Sequence, residues 1–291
     1  MTPRAIINAI EARLGITGAP CEIRDAIERE LLASGETAAA AAEQTDQVRA
    51  RVIAEITRRR DERDENGEIA VLHLRGTHGN IVHGSSYVFA DDSEPIKQSK
   101  RNRVSVDQIF WRMRGLDFGQ FEVFGKCVLR ELGCSTAKVT PHAGDQGIDF
   151  YGDLTVGSLL GADPAILKLM HETRVILVGQ AKHYPDSSIG PATVRELVGA
   201  LSLSRTATYS RDDLDLLDDV QLRPFSPIMA LLFSTGEFTR GARHLAQRAG
   251  LITFSGSQLA VFLADRGVGL IEDAGHTRFD AAAFDAWLVR I

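Results

Sequence analysis

The chain has 291 residues, 44% hydrophobic and 25% charged, which is enough for one large core or two domains. Its 33 basic and 39 acidic side chains leave a formal charge of −6, which excludes a uniformly basic nucleic-acid coat but not local basic patches. No run approaches the ~20 apolar residues of a membrane span, and three cysteines without a CxxC pair argue against a disulfide framework or a structural zinc site.

The opening MTPRAIINAIEARLG contains acids and no continuous apolar stretch. It does not read as a secretory signal, so a cytoplasmic protein is expected. Ile6, Ile7, Ile10 and Leu14 predict a helix over 3–14. Ile23, Ile27, Leu31 and Leu32 predict a second over 22–33, and Val48, Val52, Ile53 and Ile56 form a sparse stripe within 35–60, before polarity rises at RRRDERDENGE. IAVLHLRG and IVHGSSYVFA read as two strands about a turn at Thr77–Asn80. Three helices and a hairpin give a winged-helix-like module over 1–90, of a kind that binds DNA or mediates protein contacts. His73, His78 and His83 invite a metal reading, but their spacing fits strand and turn positions better.

Residues 90–103, ADDSEPIKQSKRNR, are polar and aperiodic. A basic linker and a short helix, VSVDQIFWRM, are therefore expected over 91–115, with Gly115 as a stop. Lys97, Lys100, Arg101, Arg103, Arg112 and Arg114 are opposed in that stretch only by Asp107. They could meet phosphates or simply form a solvated surface.

A second domain is expected over 116–291, with its core in about 117–265. The pattern reads as a helix at 117–132, strands at 136–141 and 147–152, a small helix near 164–171, and a central strand at 174–182, RVILVGQAK. A helix follows Gly190–Pro191, then an acidic surface at 211–219 and a buried strand at 228–233. A helix at 238–249, a strand–helix unit near 251–265 and a last helix at 280–289 complete it.

Three side chains in this domain suggest chemistry. Asp149, in GDQGIDFYG, alternates against Ile148 and Phe150. Gln180 and Lys182 share one face at the end of a core strand, where polar groups need water or a partner. A carboxylate and an amide oxygen suit Mg²⁺. An ammonium beside them can orient water and stabilise charge on phosphoryl oxygens. Glu122, on the helix at 117–132, lies near the edge of a stripe made by Phe118, Phe121, Val128 and Leu132; it could reach such an ion directly or through water, or be a plain boundary glutamate.

FGQFEVFGKCVLRELGC, VTPHAGDQGIDF, VILVGQAKHY, VRELVGAL and LLFSTGEFTRGARHLAQRAGLITFSGSQLAVFL, in this order, resemble the Mrr-type catalytic domain of the restriction endonuclease-like, PD-(D/E)xK, superfamily. The resemblance covers about half the chain, and the GxxGxD plus QxK pair is its most specific part. It implies a restriction endonuclease-like core, with a mixed central sheet flanked by helices, preceded by the smaller winged-helix-like α+β domain. It also implies a metal-dependent DNA endonuclease of restriction or anti-phage defence, type II or type IV-like, with some relatives preferring methylated DNA. Asp149, Gln180 and Lys182 take the catalytic strand positions and Glu122 the helical acid. Asp149, Gln180 and Glu122 become the ligands of Mg²⁺, for which Mn²⁺ can substitute.

The expected partner is double-stranded DNA, the expected assembly a homodimer, and no membrane is involved. His142, Asp145, His183 and Tyr184 flank the site, and the amides of Ser234, Thr235 and Gly236 could hold an anion or cap a helix. About thirty residues between the Asp149 and Gln180 strands exceed what many relatives carry. The rival readings are a catalytically inactive nucleic-acid-binding module, a junction or RNA nuclease, and a signal-activated defence effector.

Overall fold

The computed structural model describes residues 1–140, 147–155, 174–205, 227–273 and 276–289. They form two compact units, Met1–Asp107 with Val261–Asp280, and Gln108–Ala260 with Ala281–Ile291. The predicted helix near 164–171, the acidic stretch 211–219, His142 and Asp145 lie outside the described residues.

The first unit begins with α1 (Pro3–Leu14), β1 (Cys21–Glu22), α2 (Ile23–Ala33), α3 (Ala38–Glu65), β2 (Leu72–Arg75) and β3 (Ile81–Gly84). The Thr2 hydroxyl accepts from the Ala5 N–H and Pro3 opens α1, so the first turn is capped by side chain and ring together. The buried residues of α3 are Ala41, Thr45, Val48, Val52 and Ile56, a helical stripe that closes the core over α1 and α2. The strands pair in the order β1-β3-β2, which with the element order is a winged-helix arrangement.

β1 is not predicted, because its two residues carry no periodicity, and α3 runs on through RRRDERDE, beyond the predicted 35–60. That extension is held by ion pairs one turn apart. Arg58 pairs with Glu55 and Glu62, and Arg59 pairs with Glu55 and with Glu11 of α1. His73 stands opposite His83 in the β2–β3 ladder with ring centroids 6.1 Å apart, and burial pushes both imidazoles below the usual histidine pKa. These histidines are strand positions.

Where an aperiodic basic linker is predicted, the chain forms α4 (Glu94–Arg103), followed by α5 (Val106–Arg114). Tertiary partners explain the helix. Ser99 and Arg103 both bond to Asp265, and Gln98 reaches Thr277.

The second unit carries α6 (Phe118–Glu131), β4 (Thr136–Val139), β5 (Phe150–Thr155), β6 (Arg174–Lys182), α7 (Pro191–Arg205), β7 (Ile228–Ser234), α8 (Arg240–Ala249) and β8 (Leu251–Phe254). Then come α9 (Gly256–Asp265), the hairpin β9 (Leu270–Asp273) and β10 (His276–Phe279), which belongs to the first unit, and α10 (Ala281–Leu288). The five-stranded sheet has the order β4-β5-β6-β7-β8, antiparallel through β6 and parallel beyond it. This is the expected mixed α/β sheet flanked by helices.

A capping box between Asp117 and Gln120 starts α6. It leaves Phe118 on the first turn, 58% exposed rather than in the core stripe where the sequence reading places it. The Phe150 ring fills the layer between α6 and the sheet. A Cβ added at Gly125 of α6 or at Gly179 of β6 would stand 2.3 or 2.1 Å from that ring, so only glycine fits at either position. No helix of the described residues is long and apolar enough to cross a membrane.

Candidate active site

β6 owes its position to RVILVGQAK, in which Val175–Ala181 are all buried. Ile176 and Val178 face α7, in a cluster that includes Leu201. Gly179 faces the opposite way, onto Phe150. By the two-residue period, Gln180 and Lys182 therefore project on the α7 side. Asp149 precedes β5 at the same end of the sheet. Its N–H donates to the Gly179 carbonyl at 2.9 Å, its carbonyl accepts from the Thr140 N–H at 3.0 Å, and its Oδ2 accepts from the Ala181 N–H at 2.7 Å. The carboxylate thus takes the place of a backbone acceptor just where β5 stops pairing with β6.

Gln180 is 3% exposed, and its Oε1 has no hydrogen-bond partner among the described residues. Gly147, at φ +69°, passes close to the amide: a Cβ there would lie 3.4 Å from both Gln180 Nε2 and Ala200 Cβ of α7. Both the left-handed backbone and the narrow gap favour glycine. The half-buried Lys182 ammonium makes no hydrogen bond or ion pair among the described residues.

Glu122 is 5% exposed. It shares a helix stripe with Gly125, which meets Phe150, and Leu129, which a Cβ at Gly152 would approach at 3.2 Å. One turn before Gly125 is about 4.5 Å of helix, or one to two strand residues at ~3.3 Å each. Glu122 therefore lies at the level of Asp149, on the α6 face, whereas Gln180 and Lys182 project from the other face. Its place is the middle of the sheet-facing stripe rather than the edge. His183, after Lys182, meets the Phe121 ring edge-on at 5.8 Å and sets its Nε2 3.1 Å from the Arg114 carbonyl. Tyr184 is exposed, and its N–H donates to Thr235 Oγ1 at 2.8 Å.

A divalent cation suits this end of the sheet. A buried amide oxygen without a donor is costly unless something positive meets it, and a hard ion prefers a carboxylate and a carbonyl oxygen together. Among the described residues no three His, Cys, Asp or Glu side chains converge on one point. Among the described residues the donors at the strand ends are one carboxylate, Asp149, and one amide, Gln180.

Residues 113–210, which contain Glu122, Asp149, Gln180 and Lys182, match the Mrr_cat family, described as restriction endonuclease. The segment is an Mrr-like, restriction-endonuclease-like domain. No curated protein matches the chain. Solved structures similar to it include MspJI restriction endonuclease in complex with a 27-mer oligonucleotide, at 22% identity and a TM-score of 0.38, over 69% of this chain and 39% of that one. The DNA modification-dependent restriction endonuclease AspBHI is 15% identical with a TM-score of 0.39, over 75% and 59% of the two chains. Restriction endonuclease FokI is 12% identical with a TM-score of 0.37, over 91% and 44%. The chain thus spans less than two thirds of each of these proteins.

In the basic stretch beside the Mrr-like domain five of the six cations are ion-paired: Lys97 with Glu94, Lys100 with Asp92, Arg103 with Asp265, Arg112 with Asp285 and Arg114 with Asp186, while Arg101 is exposed and makes no ion pair among the described residues. The amides after β7 are also spoken for. Thr235 N–H donates to the Lys182 carbonyl and Gly236 N–H to Ser234 Oγ, while Thr239 caps α8, so no anion cradle remains there. A basic face that the sequence reading missed lies on α8, where RGARHLAQR sets arginines at 240, 243 and 248.

Proposed function

We propose that the Mrr-like domain is a Mg²⁺-dependent phosphodiesterase acting on duplex DNA, with Asp149 and Gln180 holding the ion, Lys182 beside the scissile phosphate, and Glu122 a second acid at the same level on the α6 face. What supports this most is the Gln180 oxygen and the Lys182 ammonium, both without a partner among the described residues, on one strand face next to a carboxylate that accepts from the Ala181 amide. Mg²⁺, when bound, polarises a phosphoryl oxygen and lowers the pKa of a coordinated water.

The chain's own residues do the rest. The Ala181 N–H holds Asp149 in one rotamer, so its carboxylate needs no reorganisation to receive a cation. Burial of Gln180 excludes water from its oxygen and strengthens the interaction with a positive ligand. The Lys182 ammonium, which makes no ion pair among the described residues, is available to donate to the non-bridging oxygens of a phosphodiester and to place the attacking water. Severing both strands of a duplex calls for two such sites, so a homodimer is the expected active species, which sedimentation with and without duplex checks.

The experiment is cleavage of matched methylated and unmethylated plasmid by the full chain in Mg²⁺, Mn²⁺ and EDTA. The expected result is metal-dependent cutting, absent in Lys182→Ala although that variant keeps its fold and most of its DNA binding. Folded wild-type protein that cuts neither DNA with either metal would return the domain to the rank of a binding module.

A further inference from the structure

The solvent face of α8 bears Arg240, Arg243, His244, Gln247 and Arg248, all exposed, while Ala242 and Ala246 on its other face are buried against Val194, Leu197 and Leu232. None of the three guanidinium groups makes an ion pair or hydrogen bond among the described residues. By contrast Lys97, Lys100 and Arg103 of α4 and Arg112 and Arg114 of α5 are each paired with an acid.

The placement also runs against helix stability. Arg240 and Arg243 occupy the first turn, where no acid stands, although the helix dipole favours acids there. Positive backbone ends and positive side chains are thus concentrated together. They are concentrated at the site end of the sheet: Thr239 N–H, at the start of α8, donates to the Ile189 carbonyl, and Thr235 N–H to that of Lys182. Moreover, α8 lies on the sheet face from which Gln180 and Lys182 project. From Arg240 to Arg248 the stripe spans about 12 Å, room for several phosphates of a duplex that carries one charge per ~1.7 Å of axis.

We infer that this face holds the sugar–phosphate backbone of duplex DNA and leads one strand toward Lys182. The inference rests on the nuclease reading above and adds the docking surface to it. A lipid surface fits poorly, because a helix lying in a membrane interface needs its apolar face for lipid, and that face of α8 is consumed in the core.

The test compares the full chain with Arg240→Gln/Arg243→Gln/Arg248→Gln by fluorescence anisotropy on a labelled duplex, in EDTA, across a salt series. Loss of three phosphate contacts should reduce the slope of log K against log salt by about 2.7 and weaken binding at least about tenfold near 0.1 M salt. The control is Arg58→Gln/Arg60→Gln/Arg63→Gln on α3, which makes the same change in formal charge at arginines already paired with acids; its slope should stay at the wild-type value. All six positions are surface side chains, and circular dichroism verifies that each variant folds. Equal slopes for wild type and the α8 variant overturn the inference, while Mg²⁺-dependent cutting by the same wild-type preparation keeps the nuclease reading. Wild-type binding to single-stranded RNA or anionic vesicles, but not to duplex, also overturns it. Wild-type protein that neither binds nor cuts duplex removes both.

Discussion

The β5–β6 pair carries a carboxylate at each end, and the two have opposite surroundings. Asp153 is 6% exposed and accepts from Ser135 Oγ, Thr136 Oγ1 and the Arg174 guanidinium. Burial alone raises its pKa, but the bonds from Thr136, Arg174 and Ser135 outweigh that and hold it below the usual aspartate range. At the other end Asp149 accepts from the Ala181 amide, and beside it an amide oxygen and an ammonium have no partner among the described residues. A polar cluster that satisfies itself contributes stability. One that leaves donors and acceptors open on a rigid frame is arranged for something that arrives from outside.

The sharpest way to break this contrast is to remove each acid in turn. Asp149→Ala should lower the cleavage rate at least about 10³-fold through the loss of several kcal/mol of metal-borne charge stabilisation. Calorimetry should show weakened Mg²⁺ binding with little change in melting temperature. Lys182→Ala should cost about 10²–10³-fold in rate, again with the fold intact. A melting temperature that drops as far as the activity does, in either variant, would mean that the site end is structural too.

Asp153→Ala should behave in the reverse manner. Loss of its charge-assisted bonds should destabilise the domain by about 1–3 kcal/mol, read from urea unfolding, while the rate per folded molecule stays near wild type. Histidines test the same rule in the first unit. Burial holds His73 and His83 below the usual value, so the unfolded chain binds more protons than the folded one. Their contribution is present above about pH 6.5 and is lost as pH falls below it toward their folded values. The melting temperature should decline from pH 7 to 5, and His83→Gln should flatten that decline. The smallest effect concerns Cys134, whose thiol is pushed up to about 12 by burial and then by the Asp153 charge. It should resist alkylation at pH 8 in the native protein and react faster in Asp153→Asn.

The site end was more legible in the sequence than the rest of the molecule. RVILVGQAK announces a buried strand that ends in two polar groups on one face, and GDQGIDF places its acid by strand alternation. These are local signals. What stayed hidden depends on residues far along the chain. α4 read as a linker because Asp265 and Thr277, which hold it, lie beyond any local window. The basic stretch reads as opposed only by Asp107 for the same reason, since Arg103 and Arg112 find their acids at 265 and 285. β9 and β10 have four residues each and no strong alternation. The depth of Glu122 is not legible locally, because it follows from how closely Gly125 lets α6 approach the sheet.

That close approach has a consequence for anyone wishing to alter the chemistry. One benzene ring, pinned between two positions that admit only hydrogen, acts as the spacer that sets how far the helical acid stands from the strand carrying Gln180. Exchanging Phe150 for a thinner or bulkier residue would change that separation while leaving every charge in place, an adjustment made by mechanics rather than by electrostatics.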